Sequence, residues 1–235
     1  MGRWGEFHCN WGSMMRVVNM LVEGQTEYQF VGQVLRPYLA GFEVFVIPAI
    51  VKTKHTHWGT WEKGGSLRYP IFKKKLMDLL RNKSRTTTMM FDLYGLSSDF
   101  PNRDVSTGSL SRTAAVDIQN GIHDDLGNPV NFIPFVVRHE FEAFIFASDV
   151  ELPRIISASA SQRLRFEKLC RQFVCPEDID NSPTSAPSRR IVEIFPNYNK
   201  VVHGVATVKG IGIEIIMKQC PHFHAWVQQI VVAAL

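Results

Sequence analysis

Carboxylates recur at one kind of place along this 235-residue chain: just past an apolar run and close to a glycine or an apolar helix. The first case is Val17-Val18-Asn19-Met20-Leu21-Val22-Glu23-Gly24-Gln25-Thr26-Glu27. Val17 to Val22 is apolar and β-branched except at Asn19, the composition of a strand covered on both faces. Gly24 follows where the backbone must turn freely. Thr26 is placed to cap a helix continuing through Tyr28, Phe30, Val31, Val34 and Leu35 to Pro37. Glu23 therefore sits at the C-terminal tip of a strand, the edge where open α/β sheets hold their ligand crevices. Glu27 lies four residues further, about one helical turn, so both carboxylates could face one cation. Taken alone, the stretch reads equally as an ordinary strand-to-helix turn with a glutamate that favours the helix dipole.

The repetition shifts that balance. Thr86 to Phe91 reads as a third strand ending in Asp92, and Asp92-Leu93-Tyr94-Gly95-Leu96 repeats the grammar, although an aspartate capping a turn is the plainer alternative. Asn131 to Val137 reads as a fourth strand, with Pro134 marking an edge or a bulge. Glu140 and Glu142 follow it, leading into the apolar run Phe141–Phe146. If these strands are parallel neighbours, their carboxylates converge. Clustered carboxylates repel one another and persist where a cation neutralises them, and hard oxygen ligands suit Mg²⁺ or Mn²⁺. The candidate metal ligands are thus Glu23, Glu27, Asp92, Glu140 and Glu142.

A basic group, Arg189, Arg190, Lys200 and His203, follows in the C-terminal part. It reads either as phosphate binding beside the acids or as surface charge paired with Glu177 and Asp178. The polar loop Lys52 to Gly65 carries His55, His57, Trp58 and Trp61. It suits nucleic-acid contact by charge and stacking, or is a plain surface loop.

The elements that must position these groups alternate in the manner of an α/β protein. A second strand is expected over Phe42–Val51. Helices are expected over Tyr69–Arg81, Arg112–His123, Gln162–Phe173, Ile191–Phe195, Ile211–Lys218 and Phe223–Val232, with Trp226 buried. The Lys73–Lys75 run is a solvated face. His222 and His224 read as a cap and a satisfied core position. Residues 1–14 pattern as no element and are set aside as a disordered leader or expression remnant, with Met14 or Met15 as the native start. Residues 15–235 are expected to form one domain, a core over about 15–150 and a helical extension over about 151–235.

Composition excludes several classes. The chain is 45% hydrophobic and 20% charged, and no apolar run approaches the roughly 20 residues of a membrane span. Cys9, Cys170, Cys175 and Cys220 lack CxxC spacing, which suggests reduced, cytoplasmic thiols. The net charge of +4 is compatible with a polyanionic partner. The GxxxxGK[ST], GxGxxG and GxSxG motifs are absent from the sequence, which argues against a P-loop machine, a dinucleotide enzyme or a serine hydrolase.

LVEGQTE, the FDLYGL turn, HEFEAFIF, PEDIDNSPTSAPSRR, FPNYNKVVHG and CPHFHAW, taken in order, resemble the family known as domain of unknown function 4276, from about Met15 to Trp226. That family is similar to the Toprim fold of topoisomerases, primases and overcoming-lysogenization-defect nucleases, a small, mostly parallel sheet flanked by helices. The resemblance implies a first-strand catalytic glutamate, matched by Glu23, and an acid after a later strand, matched by Asp92. It implies a metal-holding acid one turn past the glutamate, matched by Glu27, and a glutamate entering a later helix, matched by Glu142 and less directly by Glu140. The downstream lysine near the scissile phosphate has its nearest match in Lys200. The usual second aspartate would fall at Tyr94, which puts a two-metal site in doubt, and Asp99 lies too far along to replace it. The resemblance implies a Mg²⁺- or Mn²⁺-dependent nuclease acting on RNA or DNA. It also implies an ATPase partner in an anti-phage system and often a homodimer. Two rivals remain: a non-catalytic subunit that binds an ATPase or nucleic acid, and phosphoryl or nucleotidyl transfer to a small substrate.

Overall fold

The computed structural model describes residues 15–51, 67–103, 113–179 and 185–233. The leader 1–14 and the His- and Trp-bearing loop 52–65 lie outside the described residues.

The first apolar run forms β1 (Arg16–Val22), and the second forms β2 (Val44–Ile50). The run that ends in the candidate aspartate forms β3 (Thr86–Asp92). Pro134 divides the expected fourth strand into β4 (Phe132–Ile133) and β5 (Val136–Val137), because it has no N–H to give the ladder. The strands are ordered β2-β1-β3-β4, with β5 also pairing with β3. All of these pairings are parallel, with Val22 opposite Ile50 and Met90, and Asp92 opposite Val137. The tips of β1, β2, β3 and β5 therefore share one edge.

The helix after β1 differs from its sequence reading at both ends. Its cap is the extended Gly24, whose N–H donates to the Glu27 carboxylate, while Thr26 lies buried inside the first turn. The chain then runs as α1 (Gln25–Phe30), a π-helical turn over Val31–Leu35 and α2 (Arg36–Ala40). The widened turn lets the helix continue past Pro37, which can neither donate to the preceding turn nor pack within a regular one.

Then come α3 (Tyr69–Leu80) and α4 (Ala114–Asp125). After β5 the expected apolar helix is a 3-10 helix, Phe141–Ala147. The remainder is α5 (Glu151–Ile155), α6 (Ala160–Cys170), α7 (Pro187–Ile194), α8 (Val205–Ile211), α9 (Ile213–Gln219) and α10 (Pro221–Ala233). Helix α8 was not expected from sequence, because its short Val-Ala-Thr-Val-Lys-Gly-Ile run carries no strong period.

Side chains of the central strands alternate between two cores, as the pleat demands. Val18, Met20, Val22 and Met90 face a large cluster with Phe30, Phe141, Phe144, Phe223 and Trp226. Leu21, Met89 and Phe91 face a smaller one with Phe72, Leu76, Ile118 and Ile122 of α3 and α4. The C-terminal helices thus cover this face of the sheet together with α1, α2 and the 3-10 helix. Trp226 stacks on Phe135 with ring centroids 4.2 Å apart, and its indole N–H donates to Thr88 Oγ1 on β3 at 2.8 Å. Glu177, 3% exposed, accepts from the backbone N–H groups of His222 and Phe223 at 2.8 and 2.9 Å. It caps α10.

Candidate active site at the carboxyl edge of the sheet

Each acid reaches this edge by a separate local device. Glu23 is the first residue past β1, and its Oε2 accepts from the Asp92 N–H at 3.4 Å. Gly95 makes room for it: a Cβ there would lie 2.5 Å from Glu23 Oε2. Glu27, 4% exposed, is oriented by the Gly24 N–H, 3.0 Å from its Oε2. Asp92 closes β3 and accepts from the Phe141 N–H at 2.8 Å through Oδ1. That bond ties the tip of β3 to the start of the 3-10 helix, whose first turn carries Glu142, 2% exposed.

The turn between β5 and that helix passes through His139 with φ +67, a left-handed conformation that histidine adopts more readily than most residues. The His139 carbonyl accepts from the Tyr94 N–H at 3.3 Å, and its Nε2 lies 3.0 Å from the Glu177 carbonyl. This strained turn aims the Phe141 N–H at Asp92.

Lys200 enters from far along the chain. It begins a π-helical turn, Lys200–Gly204, after the extended Asn199, whose side chain accepts from the Val202 N–H at 3.0 Å. Its ammonium lies 2.7 Å from Asp92 Oδ2, 3.3 Å from Glu142 Oε2 and 3.6 Å from Glu27 Oε1. The carboxylates converge as the strand-tip argument expects, but they converge on a lysine.

Three carboxylates on one ammonium, with Glu23 beside Asp92, leave excess negative charge, and the titration shifts follow. Burial pushes the Glu23 carboxyl up to about 8, helped by Asp92 and Glu27. Burial pushes Glu142 up to about 7, with Lys200 opposing and Asp92 and Glu140 assisting. Glu27 is raised by burial and by Asp92. Burial works against the Lys200 charge, but Asp92, Glu142 and Glu27 outweigh it and hold the ammonium charged far above its ordinary range.

The donor set fits a hard divalent cation in chemistry and charge: every donor is a carboxylate oxygen. Glu142 Oε2 is buried without a hydrogen bond, and so is the Tyr198 hydroxyl. Burial, and then the Glu142 charge, raise the Tyr198 hydroxyl. As they stand, no three His, Cys, Asp or Glu side chains among the described residues form a ready metal-binding group. Lys200 lies between them.

The other candidates have different partners. Glu140 Oε2 accepts from the Ser188 N–H at 3.0 Å and so secures the start of α7. Arg189 is exposed on α7. Arg190 donates to the Ser185 carbonyl at 2.7 Å and stacks 5.2 Å over the Phe173 ring. His203 Nδ1 accepts from the Asn199 N–H at 3.0 Å. Of the basic group, Lys200 is the member shown in contact with the carboxylates. Asp99 accepts from the Tyr69 N–H at 3.1 Å and caps α3. Sequence reasoning missed the Phe141 N–H, His139, Gly95 as a packing partner of Glu23, and Tyr198. The glycine beside a strand-tip acid was the one signal present for these; the others depend on contacts distant in sequence.

The fold and the edge cluster define an α/β protein with a parallel sheet and a buried carboxylate–lysine site. The chain belongs to the family described as domain of unknown function (DUF4276), whose model matches residues 22–231. Comparison with curated proteins gave no match. Among solved structures, it is similar to the C-terminal region of the Burkholderia pseudomallei OLD protein, at 13% identity and a TM-score of 0.48, covering 95% of this chain and 100% of that one. It is also similar to the C-terminal region of the Xanthomonas campestris pv. campestris OLD protein, at 14% identity and a TM-score of 0.44, covering 92% and 95%. No helix among the described residues is long and apolar enough to cross a membrane.

Proposed function

We propose that this domain is a Toprim-like, Mg²⁺- or Mn²⁺-dependent nuclease that cleaves phosphodiester bonds in RNA or DNA. The observation that carries the reading is the meeting of Glu27, Asp92 and Glu142 on Lys200, with Glu23 against the Asp92 N–H, at the carboxyl edge of a parallel sheet. Glu23, Asp92 and Glu142, with Glu27, would hold the cation. Bound there, such an ion polarises phosphoryl oxygens and lowers the pKa of an attacking water.

The chain's own groups do the rest. As the alternative to a ligand role, Glu23, whose carboxyl is pushed up to about 8 in the metal-free protein, would carry or accept a proton near neutral pH, as a general acid or base requires. Lys200, charged throughout the physiological range, offers its ammonium to a phosphate oxygen. Phe141 and Gly24 donate backbone N–H groups that keep Asp92 and Glu27 in register. The family resemblance extends the proposal to an ATPase partner in an anti-phage system.

One observation favours a second reading, a non-catalytic binding subunit: Lys200 already neutralises part of the cluster. A single experiment separates the two. The purified protein is incubated with labelled tRNA, single-stranded DNA, duplex DNA and nucleotides, with and without Mn²⁺, beside a Glu23→Ala variant. The nuclease reading expects metal-dependent cleavage of a polynucleotide, lowered about 100-fold or more in the variant, which keeps its helical spectrum. Full activity in a folded Glu23→Ala protein would refute the assignment of that residue. Absence of cleavage and of Mn²⁺ affinity would favour the binding subunit.

A further inference from the structure

We infer that Lys200 is the resting occupant of the divalent-ion position, and that the ion enters by displacing it; this rests on the metal reading above. Its Nζ lies 2.7, 3.3 and 3.6 Å from Asp92, Glu142 and Glu27, which come from three separate segments. An ammonium and a divalent cation cannot occupy the same oxygens, because both are drawn to them and each repels the other. No three His, Cys, Asp or Glu side chains among the described residues yet stand in metal-binding geometry, so the acids close on the ion as the lysine leaves. The cluster is also short of positive charge, so a divalent ion neutralises it better than one ammonium does.

The exit is built into the turn. Lys200 is 34% exposed although two of its partners are buried to 5% and 2%. The next two residues, Val201 and Val202, are 36% and 61% exposed, so the turn borders solvent. The turn is held by the Asn199 side chain at the Val202 N–H and by His203 Nδ1 at the Asn199 N–H, and neither bond involves the lysine side chain. The long stem can swing outward while this backbone stays in place. Displacement moves the charge from the acids toward the solvent side, where a polyanion arrives. Ion entry and phosphate capture thereby become one event.

Isothermal titration with Mn²⁺, in the absence of nucleic acid, compares the wild-type protein with Lys200→Met. Displacement predicts at least tenfold tighter binding by the variant. In parallel, reductive methylation of the wild-type protein with mass-spectrometric readout follows Lys200 against Lys209 and Lys218. Lys200 is expected to react slowly without Mn²⁺ and several-fold faster at saturation, while the other two do not change. Equal or weaker binding by Lys200→Met overturns the inference and leaves the metal site intact. Absence of binding in both proteins overturns the metal reading itself. Should Lys200→Met fail to fold, the wild-type labelling decides, and an unchanged Lys200 rate at saturating Mn²⁺ overturns the inference.

Discussion

At the scale of single residues, the site is governed by acids held too close together in too little water. Glu23 and Glu142 have folded-state values near 8 and 7, both above the ordinary 4.5. Their contribution to stability is therefore complete below 4.5, where both folded and unfolded chains are protonated. It is lost as pH rises through the folded values, because the unfolded chain has already released its protons. His222 acts in the opposite sense and in a different range. Burial lowers it to about 4, so stability falls as the pH drops below its ordinary 6.5. Between pH 6.5 and 9 the carboxylates dominate. The metal-free protein should lose roughly 5 °C of melting temperature across that interval, and saturating Mn²⁺ should flatten the slope. Melts at several pH values, with and without the ion, test this.

Gly95 offers a second residue-level test. An alanine there places its Cβ 2.5 Å from a Glu23 oxygen, and the Glu23 carboxylate, as the mobile partner, must move. Gly95→Ala is expected to keep the fold and lower Mn²⁺ affinity about tenfold or more, as a ligand forced out of position does. Titration beside a melting curve separates loss of the site from loss of the fold.

At the scale of elements, the geometry depends on what happens just past each strand. β1 gives way to a glycine that frees Glu23 and lets Glu27 close the helix start. β3 ends on an aspartate tied to the segment after β5. β5 turns through a left-handed histidine so that Phe141 can make that tie. The other glutamate of note, Glu177, does comparable work for α10. Removing it by Glu177→Ala leaves two N–H groups without their acceptor at the start of a helix that carries Phe223 and Trp226. The expected cost is about 1–3 kcal/mol in denaturant melts, with Mn²⁺ affinity unchanged. A shift in affinity would show that α10 and the site are coupled.

At the scale of the whole molecule, one sheet separates two cores, and the larger is completed by the C-terminal half. Val18, Met20 and Val22 of β1 share it with Ile191, Val208, Phe223 and Trp226. A chain cut after residue 150 would remove Ile191, Val208, Phe223 and Trp226 from that core and expose the apolar side chains they cover. Such a truncated chain is expected to aggregate or to lack a cooperative melt, whereas an independent core with an appended extension would melt normally. The same half supplies Lys200, so the carboxyl edge is completed by chain far beyond the strands that carry its acids.

Much of this was legible in the residue order. Apolar runs marked the strands, and the acids directly at the ends of the first and third runs suffice to place Glu23 and Asp92 at strand tips, with Glu140 and Glu142 a few residues past the fourth, because strand and turn are short-range structures. Less legible were the bounds of the helices. Pro37 was read as a stop, but a widened turn carries the helix past it, and α8 went unseen because seven residues show little period. What tertiary structure alone decided is which charges meet. Lys200 stands 108 residues from Asp92, Arg190 is drawn to Ser185 and Phe173, and Glu140 is drawn to Ser188. Chain order records which groups exist and how each leaves its strand. Partnership among buried charges follows from how the second half packs over the sheet, since an ion pair depends on distance in space and not along the chain.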